Sequence, residues 1–343
     1  MPDKVRPAIV ELTSIRTKEF IRETEAVFWV FGFPILLALA LGFAFRDKAP
    51  DKVPVAVLDQ TQLPALSKSP TLIPKVMSAA GAQDALRHGK VSLVVENTPN
   101  GVVYRFDPTR PESLAARRDA DDALQRARGR RDVIAAREEH VKEQGARYID
   151  FLLPGLLGMN LMGTGMWGMG FTIANARMKK LLKRLIATPM RKTDFLLAQF
   201  LSRLVFLILE TTVLVAFGWL VFGVRVSGSI LLLMLTCIIG GYAFSGVGLL
   251  TASRAKTIEA VSGMMNLIMV PMWICSGIFF SYERFPERIK PFIRALPLTL
   301  LNDALRAVIN DAAGMAQLAP YLLGLVLWGV VAFLIGLKIF RWQ

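Results

Sequence analysis

Apolar positions collect in six runs, 27–45, 149–173, 195–222, 230–252, 259–280 and 318–338, the third becoming cleanly apolar only from Leu204. A hydrocarbon core of roughly 30 Å takes about 20 residues of helix to cross, and soluble domains do not repeat such runs. The pattern predicts an all-α polytopic membrane protein with six transmembrane helices. A charged stretch of residues 1–26 comes before the first run, which has no small-x-small site before Arg46. The expectation is a retained span, not a cleaved signal.

Residues 46–148 follow a different rhythm. "VPVAVLD" (53–59), "VSLVVEN" (91–97) and "VVYRFDP" (102–108) are β-branched runs with polar ends, which predicts three strands. Asp84–His88 predicts a helical turn leading to Gly89. Residues 112–144 contain no proline and a single internal glycine before Gln144, Gly129, which predicts one long helix. The segment reads as a small extracytoplasmic α/β domain inserted between the first two spans. Residues 1–26 place Ala8, Ile9, Leu12, Ile15 and Phe20 on one arc, a cytoplasmic interfacial helix. Segment 281–317 has apolar pieces broken by Pro286, Pro291 and Pro297. It reads as re-entrant helices on the outer side, with an ordinary surface loop as the alternative.

Charge fixes orientation. The 343 residues carry a formal net charge of +14 and are 53% hydrophobic. Residues 46–148 are nearly balanced, with 18 Lys/Arg against 14 Asp/Glu, which argues against nucleic acid as partner. Residues 177–192 instead hold seven basic side chains and no acid. Short basic loops stay in the cytoplasm, so both termini are expected there too, and the 46–148 segment outside. Cys237 and Cys275 lie in apolar runs and read as packing residues with no disulfide framework.

The basic connector, 174–194, also carries a pattern. Projected as a helix, Met178, Leu181, Leu182, Leu185 and Ile186 share one side and Arg177, Lys179, Lys180, Lys183 and Arg184 the other. Pro189 disfavours helical geometry at Thr188 and sets the stop. One reading is topological, with basic residues held against anionic lipid. The other is a docking helix whose apolar side enters a groove on a cytoplasmic partner.

The connector's end, "RLIATPM", resembles the coupling helix of ABC-2-type transporter permeases, in the subgroup with a large extracytoplasmic domain after the first span. "YIDFLLPGLLGMNLM" (148–162) is similar to that family's entry into its second span, and "CSGIFFSYERFPERIKPFIRALPLTLLNDALRAV" (275–308) to its segment before the last span. The similarity runs in order along nearly the whole chain. The start "NARMKKLLKR" is purely basic, where many relatives have an Arg-Glu-x-Gly-Thr-like start. The resemblance implies a cytoplasmic ATPase partner bound at this helix, a second copy of the chain or a close relative, and residence in a bacterial inner membrane.

The chain itself has no G-x-x-x-x-G-K-[ST] phosphate loop; "GMNLMGTG" and "GGYAFSGVG" lack the Lys-Ser/Thr pair. No cofactor is expected on this chain, with ATP and Mg²⁺ held by the partner. His88 and His140 have no ligand or nucleophile spacing around them, so neither a metal site nor enzymatic chemistry is expected.

Inside the runs, Met159, Met162, Met166 and Met169 recur at 3-4-3 spacing, and Met264, Met265, Met269 and Met272 repeat the motif in the fifth span. Tight helix packing and an adaptable substrate path both explain such stripes. Glu210 lies inside the third span, where a carboxylate needs a partner or a function. Arg203, seven residues earlier, shares its face, which predicts a contact through a neighbour or water. The function that follows is export of a hydrophobic or amphiphilic substrate (lipid, drug or glycan), with a periplasmic adaptor as a candidate ligand of the outer domain. The competing class is a membrane scaffold or receptor whose outer domain binds an envelope component.

Overall fold

The computed structural model describes residues 18, 22–44, 52–99, 101–131, 145, 147–180, 192–255 and 257–340, with backbone only for 192–200. The chain divides into two compact units, Met1–Arg46 with Val141–Gln343, and Asp47–His140. The expected helix over 1–26 falls largely outside the described residues.

The larger unit is helical. It comprises α1 (Thr24–Ala44), α5 (Tyr148–Met178), α6 (Lys192–Phe222), α7 (Ile230–Ala252), α8 (Ile258–Cys275), α9 (Lys290–Ala295), α10 (Pro297–Ile309) and α11 (Met315–Ile339). Five helices among the described residues have the length and apolarity to cross a membrane: α1, α6 from Leu201, α7, α8 and α11. The chain is therefore an integral membrane protein.

The expected second span, α5, is 31 residues long but is diluted by six glycines from Gly155 to Gly170 and by Asn160 and Thr164. Those small residues make α5 the packing centre. At Gly248 of α7, a Cβ would stand 2.6 Å from the Met166 carbonyl oxygen. At Gly246 one would stand 2.7 Å from the Gly329 carbonyl oxygen of α11. Only glycine lets these backbones approach so closely. Leu220, Leu231, Leu267 and Leu323 stay largely exposed on outward faces, as a lipid-facing surface requires.

Terminators follow local chemistry. Thr257 caps α8, accepting from Ala260 N at 3.2 Å. Pro297 opens α10, where its missing N–H costs nothing. The expected fifth span, 259–280, is helical only to Cys275, and the chain then turns at Gly277 with φ 71°. The 281–317 segment forms α9 and α10, and α10 buries Leu298, Leu301, Ala304, Leu305 and Val308.

The Asp47–His140 unit contains β1 (Val53–Val57), α2 (Leu63–Ser67), β2 (Leu72–Val76), α3 (Ala79–Arg87), β3 (Leu93–Thr98), β4 (Gly101–Arg105) and α4 (Pro111–Ala127). The strand order is β2-β1-β3-β4, with β1 parallel to β2 and β3, and β4 antiparallel to β3. Side chains alternate across the sheet. Val55, Val57, Leu93 and Val95 meet Ala116, Ala120 and Leu124 of α4, while Ala56 and Val94 meet Ala82 and Ala85 of α3. The helix expected over 112–144 ends at Ala127, beyond which Gly129 takes φ 99°. The fourth strand, β2, lies where no strand was expected.

Candidate functional site

Asn160, Gly163, Thr164, Trp167, Gly168, Phe171, Thr172 and Asn175 fall at helical spacing along one side of α5. That side lines a half-open groove of about 1140 Å³. Its other walls are Trp29, Val30, Phe33 and Pro34 of α1, Ser202, Arg203 and Phe206 of α6, and Met269 and Trp273 of α8. Glu23 and Glu25 also line it. From Met159 to Asn175 the lining runs about 24 Å at 1.5 Å per residue. Three indoles and three phenyl rings make the walls apolar and flat. Asn160, Thr164 and Arg203 supply a hydrogen-bonding floor.

Behind that floor lies Glu210, 1% exposed. Arg203 Nη2 donates to Glu210 Oε1 at 2.7 Å, and Asn160 Nδ2 donates to Oε2 at 3.3 Å. The Thr164 hydroxyl is 3.2 Å from Oε1 and 2.7 Å from the Asn160 carbonyl, and it also accepts from Arg203. A buried carboxylate survives when its charge is paired and its lone pairs are filled. Both conditions hold here, and the network joins α5 to α6.

The groove includes only part of the methionine set. Met159 and Met269 line it. Met162, Met166, Met169 and Met265 are buried in the helical core, where the Met265 methyl would meet a Cβ on Gly170. The side of α5 one step round from the methionine stripe forms the groove instead. Its signal in the sequence is the recurrence of Asn160, Thr164, Trp167, Phe171 and Asn175 at three-to-four-residue intervals.

The basic connector is described only at its start. Met178 ends α5, Lys179 follows as its cap, and Lys180 turns the chain with φ 54°. Residues 177–186 are therefore not one continuous helix. The first two belong to α5, and the chain turns before the leucines. Leu181, Leu182, Lys183, Arg184, Leu185, Ile186 and Pro189 lie outside the described residues.

The far end of the bundle is pinned by charge. Arg147 makes a two-pronged contact with buried Asp150, at 2.9 and 2.6 Å, and donates to the Phe222 carbonyl at 3.0 Å. Tyr148 donates to the Phe279 carbonyl at 3.0 Å. These bonds tie α5 to the end of α6 and to the turn after α8.

Apolar spans packed on a glycine-rich central helix, with an aromatic groove beside them, define a polytopic membrane protein. A family model described as ABC-2 family transporter protein matches residues 25–338, and the chain belongs to that family. It is 26% identical over 196 residues to ABC transporter G family member 20 of Dictyostelium discoideum, a match covering 57% of this chain and 27% of the relative. It is 25% identical over 173 residues to the inner membrane transport permease YhhJ of Escherichia coli, covering 50% of this chain and 46% of the relative. The chain thus spans less than half the length of either relative. The family model is described as a transporter protein, and the Escherichia coli relative is named a transport permease.

Proposed function

We propose that this chain is the membrane-spanning permease subunit of an ATP-driven exporter. In this reading it moves a hydrophobic or amphiphilic substrate (a lipid, drug or glycan) out of the cytoplasm or inner leaflet of a bacterial inner membrane. The groove between α1, α5, α6 and α8 carries the reading. Its aromatic walls suit an apolar body, and its Asn160–Thr164–Arg203 floor suits a polar group.

Topology follows from the same reading. α5 acts as a sixth span, its polar and small residues covered by α7, α8 and α10. Six spans and the positive-inside bias leave both termini cytoplasmic. The Asp47–His140 unit then lies outside, where a periplasmic adaptor is its candidate partner. α9 and α10 are the re-entrant pair. Energy comes from a separate ATPase holding ATP and Mg²⁺, which docks on the 177–189 connector by its residues beyond Lys180. One such connector per chain and two ATPases per cycle call for a second copy or a close relative.

The test asks first whether an adjacent reading frame encodes a soluble P-loop ATPase, whose absence there would count against the reading, and then reconstitutes the chain with that protein. The chain should raise that protein's ATP turnover and drive ATP-dependent movement of a dye-labelled phospholipid or a hydrophobic dye across vesicles. Gly168→Trp, which fills the groove, should abolish the movement and leave the complex assembled. Undiminished transport by Gly168→Trp would remove the groove from the route.

A further inference from the structure

Arg177 belongs by sequence to the basic connector, yet its side chain is spent inside the bundle. Met178, Lys179 and Lys180 are exposed, while Arg177 is half-buried. Nη1 donates to the Ala252 carbonyl at 3.0 Å and the Ala255 carbonyl at 2.6 Å, and Nη2 donates to the Ser253 carbonyl at 3.1 Å. Ala252 ends α7, Ser253 caps it and Ala255 follows just beyond, so the guanidinium sits at the negative end of the α7 dipole, where the intrahelical donors have run out. The guanidinium carbon also stands 5.3 Å from the centroid of the Phe340 ring, just past α11. Ser253 extends the junction, its hydroxyl lying 3.0 Å from the Gly336 carbonyl of α11.

A planar fork reaching three carbonyls is a task for arginine. Lysine offers a point charge and cannot hold the same set in a fixed orientation. The contact also lies at a mechanically telling place. Arg177 lies one residue before α5 ends at Met178, and Lys180 turns the chain, so a pull on the connector from beyond Lys180 meets Arg177 first. The ends of α7 and α11 are what that pull reaches.

We propose that Arg177 is a positioning residue, a latch that makes the start of the connector move as one body with the ends of α7 and α11. Its value for transport rests on the docking reading above: an ATPase seated on 181–189 would act on α7 and α11 through this guanidinium. The remaining basic residues are left to lipid or the partner.

Two measurements test it. The first uses the full chain with the adjacent-frame ATPase. Arg177→Gln should keep ATPase affinity and lose about tenfold of the stimulated turnover, within the roughly 5–150-fold typical of coupling between sites. Arg177→Lys should recover part of it. Unchanged stimulation in Arg177→Gln would overturn the proposal. So would equal loss of affinity and stimulation in both variants, since that pattern assigns Arg177 to folding alone.

The second measurement needs no ATPase. Spin labels go on Lys180→Cys and Lys338→Cys in a Cys237→Ala, Cys275→Ser background. The pulsed-resonance distance distribution should be narrow with Arg177 and broad in Arg177→Gln. An equally narrow distribution in both would overturn the latch. If the unsubstituted chain fails to stimulate the ATPase, docking fails, and this distance still decides the latch.

Discussion

Arg203 and Glu210 sit two turns apart on α6 and meet without an intermediary, Nη2 to Oε1 at 2.7 Å. The pair is buried and closed by Asn160 and Thr164 from α5. It serves as an interhelical fastener as well as the groove's polar floor. In a bilayer neither charge has water to fall back on, so each depends on the other.

Removing one partner should therefore cost more than removing both. Glu210→Ala or Arg203→Ala is expected to lose about 3–5 kcal/mol, because a buried charge is left alone. The double change Arg203→Met, Glu210→Leu should be far milder than the sum. Thermal unfolding in detergent, arranged as a double-mutant cycle, measures the coupling.

Glycines at close approaches should behave differently from those facing the groove. Gly248→Ala drives a Cβ to 2.6 Å from the Met166 carbonyl, which is backbone and cannot step aside. A cost of roughly 1–3 kcal/mol is expected. Gly168→Ala meets nothing within 4 Å and should be neutral, or gain about 0.5–1 kcal/mol from the lost flexibility. The same unfolding assay ranks the two.

The turn before α9 should carry a pH signature. Glu283 accepts from Lys290 and Arg294, each at 2.8 Å, and these bonds hold its carboxyl below the usual range. A depressed carboxylate stabilises above its unfolded pKa and loses that contribution as pH falls through the folded value. Lys290, raised by Glu283 and Glu287, keeps its contribution until pH climbs past its own raised value. Glu283→Gln should thus lower Tm slightly at neutral pH, and the gap to the parent should close in strong acid. A gap that persists there would show that the loss is not ionic.

Much of this molecule is legible in its sequence, and the exceptions have physical causes. The apolar runs predict α1, α6, α7 and α11 because a spanning helix needs both length and hydropathy. α5 meets the length, but its glycines serve helix contact and dilute its hydropathy. β2 went unforeseen because Pro74 interrupts a short edge strand, a place that tolerates proline. The seven-residue spacing puts Arg203 and Glu210 on one face, and the long arginine side chain makes the contact directly, where the spacing alone predicts one through a neighbour or water. Asn160 and Thr164 come from another helix 46 to 50 residues away in sequence, so no local pattern could bring them to Glu210. By helical projection Arg177 falls on the connector's basic side, with the lysines. Its partners at and just past the end of α7, 75 to 78 residues on, lie equally beyond local reach.

Export by this chain turns on coupling through the connector. Leu182→Asp with Leu185→Asp places two charges on its apolar side and leaves every described helix untouched. The direct measurement is co-purification of the tagged chain with the adjacent-frame ATPase, together with that ATPase's turnover. We expect the doubly substituted chain to insert in the membrane at normal levels, lose the ATPase and fail to raise its turnover. A substituted chain that still retains the ATPase and stimulates it fully would contradict coupling through this segment.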